Sequence, residues 1–249
     1  MEENHSGLIQ LLQDLSSASS TRKHLLTWLG GSIELPFTFS LLLSYSPSPS
    51  LCSRMEESLW DAVENDEIEE VKDILRGHPD ININWKSEEE NETVLHRACS
   101  HGLDSVVTIL LRHPDIDVNA KKSYSRETPF LLACAEGRTE VVKELLRNGQ
   151  VLLNTPDKDG YTPLSLAAGA GYIDLIRWWV ASGREVDLGE KPGKNADSVA
   201  CAKKNNRTAV VTLLKAFKDN PQQVRGEVRK ELRITGESIY TLGFPLASP

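Results

Sequence analysis

Residues 128–146 read TPFLLACAEGRTEVVKELL, and the fold is decided there. Thr128-Pro129 is a helix start: a threonine hydroxyl can accept a hydrogen bond from an open first-turn amide, and proline suits a position that has no intrahelical use for an N–H. Ala133-Cys134 places small side chains mid-helix, where a neighbouring helix can come close. Gly137 supplies the left-handed residue that stops the helix. Val141-Val142 and Leu145-Leu146, spaced three and four apart, give a second helix one buried stripe. The stretch encodes two short antiparallel helices.

Working outward, the same grammar recurs. Thr93-Val94-Leu95-His96 starts 35 residues earlier and Thr162-Pro163-Leu164-Ser165 starts 34 later. Each is followed by a small pair, Ala98-Cys99 or Ala167-Ala168, then by Gly102 or Gly171. Apolar doublets follow again, Val106-Val107 with Leu110-Leu111 and Leu175-Ile176 with Trp179-Val180. A fixed period of this length is the mark of a stacked array. Weaker units flank the clear ones, as the water-facing edges of a stack require. Ala62, Val71 and Leu75 lie 36 residues before Ala98, Val107 and Leu111. Cys201-Ala202, Val210-Val211 and Leu213-Leu214 close the series, in a unit without Thr-Pro.

These units resemble ankyrin repeats, whose pattern is TPLHxA, then G, then VV and LL. Asp115-Ile116-Asp117-Val118-Asn119-Ala120 is similar to the family's inter-repeat segment, and Asp157-Lys158-Asp159-Gly160 to its hairpin tip. The resemblance implies an all-α ankyrin-repeat solenoid over 55–220, with units at 56–87, 88–122, 123–156, 157–190 and 191–220. Trp179 takes a core leucine's place, and Trp178 is expected nearer the convex face, packing against the next unit.

Outside the array the character changes. Residues 1–54 are serine-rich and poor in charge, ending in the Ser-Pro stretch Ser46–Ser50, and are expected to stand outside the fold. Gly7–Leu15 fits a short amphipathic helix. At Met55 the composition shifts sharply, which suggests an alternative initiation site, with Ser58 and Asp61 forming a capped helix start. Beyond Asn220, residues 221–249 read as a charged helix, Gln222–Arg233, and a loose tail.

The 249 residues carry a formal net charge of -8, with 39% hydrophobic and 26% charged content, an ordinary soluble balance. The acidic balance disfavours nucleic acid and anionic lipid as partners. A basic patch around Lys203, Lys204, Arg207, Lys215 and Lys218 is the one feature that favours nucleic acid. The N-terminus lacks a secretory signal's basic start, and the apolar run Leu35–Leu43 is too short to span a bilayer. Four cysteines at 52, 99, 134 and 201 lack metal or redox spacing. A cytosolic or nuclear monomer is the expectation.

No residue set carries chemistry. Cys99, Cys134 and Cys201 fall at small-residue positions and read as inert packing. His78-Pro79-Asp80 and His113-Pro114-Asp115 sit where second helices end, which capping explains. The resemblance gives His96 a structural role, tying adjacent turns together. No nucleophile with its base, phosphate-cradling loop or metal spacing is present, so neither an enzymatic activity nor a cofactor is expected.

The resemblance implies binding instead, through a concave groove. Its contact positions fall at the turn residues Glu89, Glu90 and Glu92, then Tyr124, Ser125 and Glu127, then Lys158, Asp159 and Tyr161. First-helix ends add Glu64 and Asn65, Ser100 and His101, Ala135 and Glu136, Gly169 and Ala170, and finally Lys203 and Lys204. That surface reads as acidic over three units and basic at the last, which suits a protein partner bearing a basic segment. An adaptor or scaffold is the leading reading. The alternative is a regulatory or substrate-receptor subunit that docks through Gln222–Leu232 as well. Asn119, in Asp-Val-Asn-Ala, resembles a substrate position of an asparaginyl hydroxylase.

Overall fold

A computed structural model describes residues 49–88, 91–189 and 195–234, and the expectations for residues 1–48 and for most of the tail lie outside them. Among the described residues the chain forms eleven helices: α1 (Pro49–Glu64), α2 (Ile68–Gly77), α3 (Val94–His101), α4 (Asp104–Leu110), α5 (Pro129–Ala135), α6 (Thr139–Arg147), α7 (Pro163–Ala170), α8 (Ile173–Ser182), α9 (Ser198–Lys204), α10 (Thr208–Asp219) and α11 (Pro221–Glu231). Odd-numbered helices α1 to α9 pack side by side in one layer and even-numbered α2 to α10 in a second, with one continuous apolar core between them. This is an all-α repeat solenoid.

The caps explain where each first helix starts. Thr128 Oγ1 accepts from Leu131 N at 3.2 Å and Thr162 Oγ1 from Ser165 N at 3.2 Å. Where Thr-Pro is missing, Asp197 takes over, its Oδ1 accepting from Ala200 N at 2.9 Å. The stops are equally regular: φ is positive at Gly102, Gly137 and Gly171, and at Asp66 and Asn206 in the outermost units.

Two features depart from the sequence reading. α1 begins at Pro49 and runs through Met55 without a break. Ser58 is therefore not a cap but an interior helical residue, its hydroxyl donating to Arg54 O at 2.9 Å. Trp178 also meets the preceding unit, where Lys143 Nζ of α6 sits 4.1 Å from its ring centroid. Trp179 is fully buried as expected, edge-on to Phe130 with ring centroids 5.0 Å apart, and its indole N–H donates to Glu185 O at 3.0 Å.

α11 lies across the last two second helices, α8 and α10. Val224 and Val228, one turn apart, are buried there. Arg225 and Arg229, each next in sequence, donate to Arg184 O at 3.1 Å and Ala181 O at 2.7 Å at the end of α8. The helix closes the stack by covering an apolar face and satisfying helix-end carbonyls.

Candidate functional site: hairpin tips and first-helix ends

Among the described residues, three hairpins project between units. Ser87 N donates to Glu92 O, Lys122 N to Glu127 O and Asp157 N to Tyr161 O, at 2.9, 3.0 and 3.0 Å. Each closes through a left-handed residue, Asn91, Arg126 or Gly160. Adjacent tips are cross-linked: Lys86 Nζ donates to Lys121 O at 2.7 Å, Lys158 N to Ser125 O at 2.8 Å, and Asn195 Nδ2 to Asp159 O at 2.9 Å. Behind the tips, His96 is buried and holds the second and third units together. Thr93 N donates to its Nδ1 at 3.2 Å, which leaves Nε2 as the donor to Glu127 O at 3.2 Å. Burial drives its pKa from 6.5 down to about 4. His96 thus has the structural role expected of it.

The predicted contact residues divide sharply. Glu92 is a correction: it is only 2% exposed, with Oε2 2.6 Å from Lys122 Nζ and Oε1 3.4 Å from Arg97 Nη1. A partner cannot reach a carboxylate already enclosed by two cations of its own chain. Glu64 is half-buried and gripped by Arg97, whose Nε and Nη2 both donate to it, Nη2 at 2.6 Å. That hydrogen bonding holds the Glu64 carboxyl below its ordinary range. Arg97 also lies 5.6 Å from the Trp60 ring centroid, so one guanidinium joins first-unit and second-unit residues. Glu127 accepts from Ser125 Oγ at 2.7 Å, which occupies both. Ser100 donates its hydroxyl to Arg97 O at 3.0 Å. Ala135, Gly169, Ala170 and Tyr161 are half-buried.

Asn65, His101, Tyr124, Glu136, Lys158, Asp159, Lys203 and Lys204 are exposed. Tyr124 stands out at 82%. Lys203 and Lys204 occupy the last turn of α9, where the helix dipole favours cations in any case. Glu89 and Glu90 lie outside the described residues. The sequence reading omitted Lys121 and Arg126, both exposed on the middle tip beside Tyr124. The hairpin register could have found them, since Arg126 occupies the left-handed position that Asn91 and Gly160 hold in its neighbours. The described contact positions are therefore less acidic than the sequence suggests, because Glu92 and Glu127 on the tips and Glu64 at a first-helix end are already engaged by their own chain.

Asn119 is also committed: its Nδ2 donates to Gln150 O at 2.8 Å and its Oδ1 accepts from Leu152 N at 2.8 Å. Asn84 makes the same pair of bonds one unit earlier, to Asp115 O and Asp117 N at 2.6 and 2.8 Å. The thiols of Cys99 and Cys134 are fully buried and burial raises their pKa, as partial burial does for Cys201.

A family model described as ankyrin repeats, three copies, matches residues 59–154 and 116–191, more than half of the chain. The chain belongs to the ankyrin repeat family. Ankyrin repeats are protein–protein interaction modules, typically without enzymatic activity. Among the described residues of this ankyrin stack, no helix is long and apolar enough to cross a membrane.

Proposed function

We propose that this chain is a non-enzymatic adaptor or scaffold that binds a protein partner through its hairpin tips and first-helix ends, with Tyr124 as the central contact. The exposure of Tyr124 carries the reading. A ring 82% exposed on the middle tip of a cross-linked row has contact area to offer, and burying a tyrosine against a partner adds much binding energy at low entropic cost. Lys121, Arg126, Glu136, Lys158 and Asp159 surround it with mixed charge that can set orientation. A basic stretch in the partner would meet Glu136, Asp159 and the exposed Glu88. The reading takes the chain as monomeric on its own, working in the cytosol or nucleus, where free Cys99, Cys134 and Cys201 stay reduced. It involves no cofactor, metal, nucleic acid or membrane.

The alternative, a regulatory or substrate-receptor subunit docking through the C-terminal helix, has less to support it. The apolar side of α11 is already buried on this chain's own α8 and α10.

The test is a comparative pull-down with the full chain beside Tyr124→Ala and Tyr124→Ala/Glu136→Ala variants. Partners retained by the wild type and lost from both variants, with unchanged helical circular dichroism, are the expected result. Equal recovery by all three baits sinks the reading.

A further inference from the structure

On the opposite layer, the second helices of the first two units part. Between α2 and α4 runs an open groove of about 850 Å³, with half-buried Ile68 and Ile109 among its lining residues. Five carboxylates line it, Asp66, Glu67, Glu69, Glu70 and Asp104, against two cations, Lys72 and Arg112. Lys72 is already bonded to Glu69 at 2.7 Å. Glu67 and Glu70 are crowded enough that a hydrogen bond between them, and then their mutual repulsion, raise the Glu70 pKa.

The molecule itself shows what such a groove accepts. At the other end of the stack α8 and α10 also touch each other sparingly, and α11 seats against both. It does so with two valines one turn apart, Val224 and Val228, each followed by an arginine. The α2–α4 groove offers Ile68 and Ile109 to an apolar helix face, with carboxylates around them that complement cations on its flanks.

We propose that the α2–α4 groove is a second binding site, taking a cationic amphipathic helix of a partner protein, with apolar residues on Ile68 and Ile109 and basic residues paired to Glu67 and Glu70. The commitment to a helix rests on the seating of α11, and the commitment to a cationic one on charge complementarity with the groove's carboxylates. The site is separate from the hairpin tips, so it stands or falls apart from the function proposed above.

Binding of a fluorescently labelled, synthetic amphipathic leucine–lysine helix to the full chain, followed by anisotropy, tests the proposal. Saturable binding is expected, weakening as salt rises because exposed charges are screened. The Glu67→Gln/Glu70→Gln variant is expected to lose roughly tenfold in affinity, while Tyr124→Ala loses none. A leucine–glutamate helix should not bind. Absence of saturable binding, equal affinity in Glu67→Gln/Glu70→Gln, or equal binding of the leucine–glutamate helix overturns the proposal. Binding that appears only after residues 1–48 are removed would give the groove to this chain's own N-terminal segment, and would overturn the assignment to a partner.

Discussion

The Glu92 carboxylate and the Lys122 ammonium, 2.6 Å apart, form an ion pair withdrawn from solvent between the second and third units. With Arg97 on its other side, Glu92 links the first three units through charge rather than apolar contact. A buried ion pair contributes little over an apolar pair, but removing one partner strands the other. Glu92→Ala is therefore expected to lower unfolding stability by about 3 kcal/mol, and Glu92→Gln by less. Urea titration followed by circular dichroism measures both, with exposed Glu136→Ala as reference. A Glu92→Ala loss no larger than that of Glu136→Ala would return Glu92 to the list of contact residues.

His96 makes the stack acid-sensitive. Its pKa is near 6.5 when unfolded and about 4 when folded, because burial disfavours the imidazolium. Between those values the unfolded chain binds the extra proton, so the contribution is fully present above pH 6.5 and is lost as pH falls toward 4. The whole loss amounts to about 3 kcal/mol. Stability measured from pH 7 to pH 4 should fall more steeply in the wild type than in His96→Gln; parallel slopes would contradict this.

Gly137 and Gly77 should respond in opposite senses to alanine. Gly137 has φ +67, and an added Cβ would come within 2.7 Å of the Tyr172 ring. Strain and clash together should cost about 2 kcal/mol or more. Gly77 ends α2 with open space around it, and alanine there should add about 0.5 kcal/mol. Thermal unfolding of the two variants reads both signs, and a neutral Gly137→Ala would show that Tyr172 moves aside freely.

α11 should hold the last two units together. Val224→Ala/Val228→Ala is expected to cost about 1–2 kcal/mol per site. Hydrogen exchange should then lose protection in α8 and α10 while α3 to α6 keep theirs. Unchanged exchange in α8 and α10 would mean that the helix rests on the stack without stabilising it.

The array was legible because its signals are local and repeated. Thr128, Gly137 and Val141-Val142 each act within a few residues of themselves, as cap, stop and buried stripe, and the period brings them into register. The Asp197 cap also obeys a local rule, though it lies outside the Thr-Pro motif. The start of α1 was less legible, since helix continues from Pro49 through a change of composition.

The candidate site was legible in its positions and not in its availability. The sequence, through its resemblance to ankyrin repeats, placed Tyr124 and Glu92 both in hairpins, with capping and periodicity setting the register of the helices around them. Only the tertiary structure decided that Tyr124 projects into water while Glu92 is enclosed by Lys122 and Arg97. Those cations come from the next unit's hairpin and from α3, and a carboxylate's exposure depends on where such distant groups end up. The α2–α4 groove arose in the same way, from how far two neighbouring helices stand apart, which no residue of either helix specifies by itself.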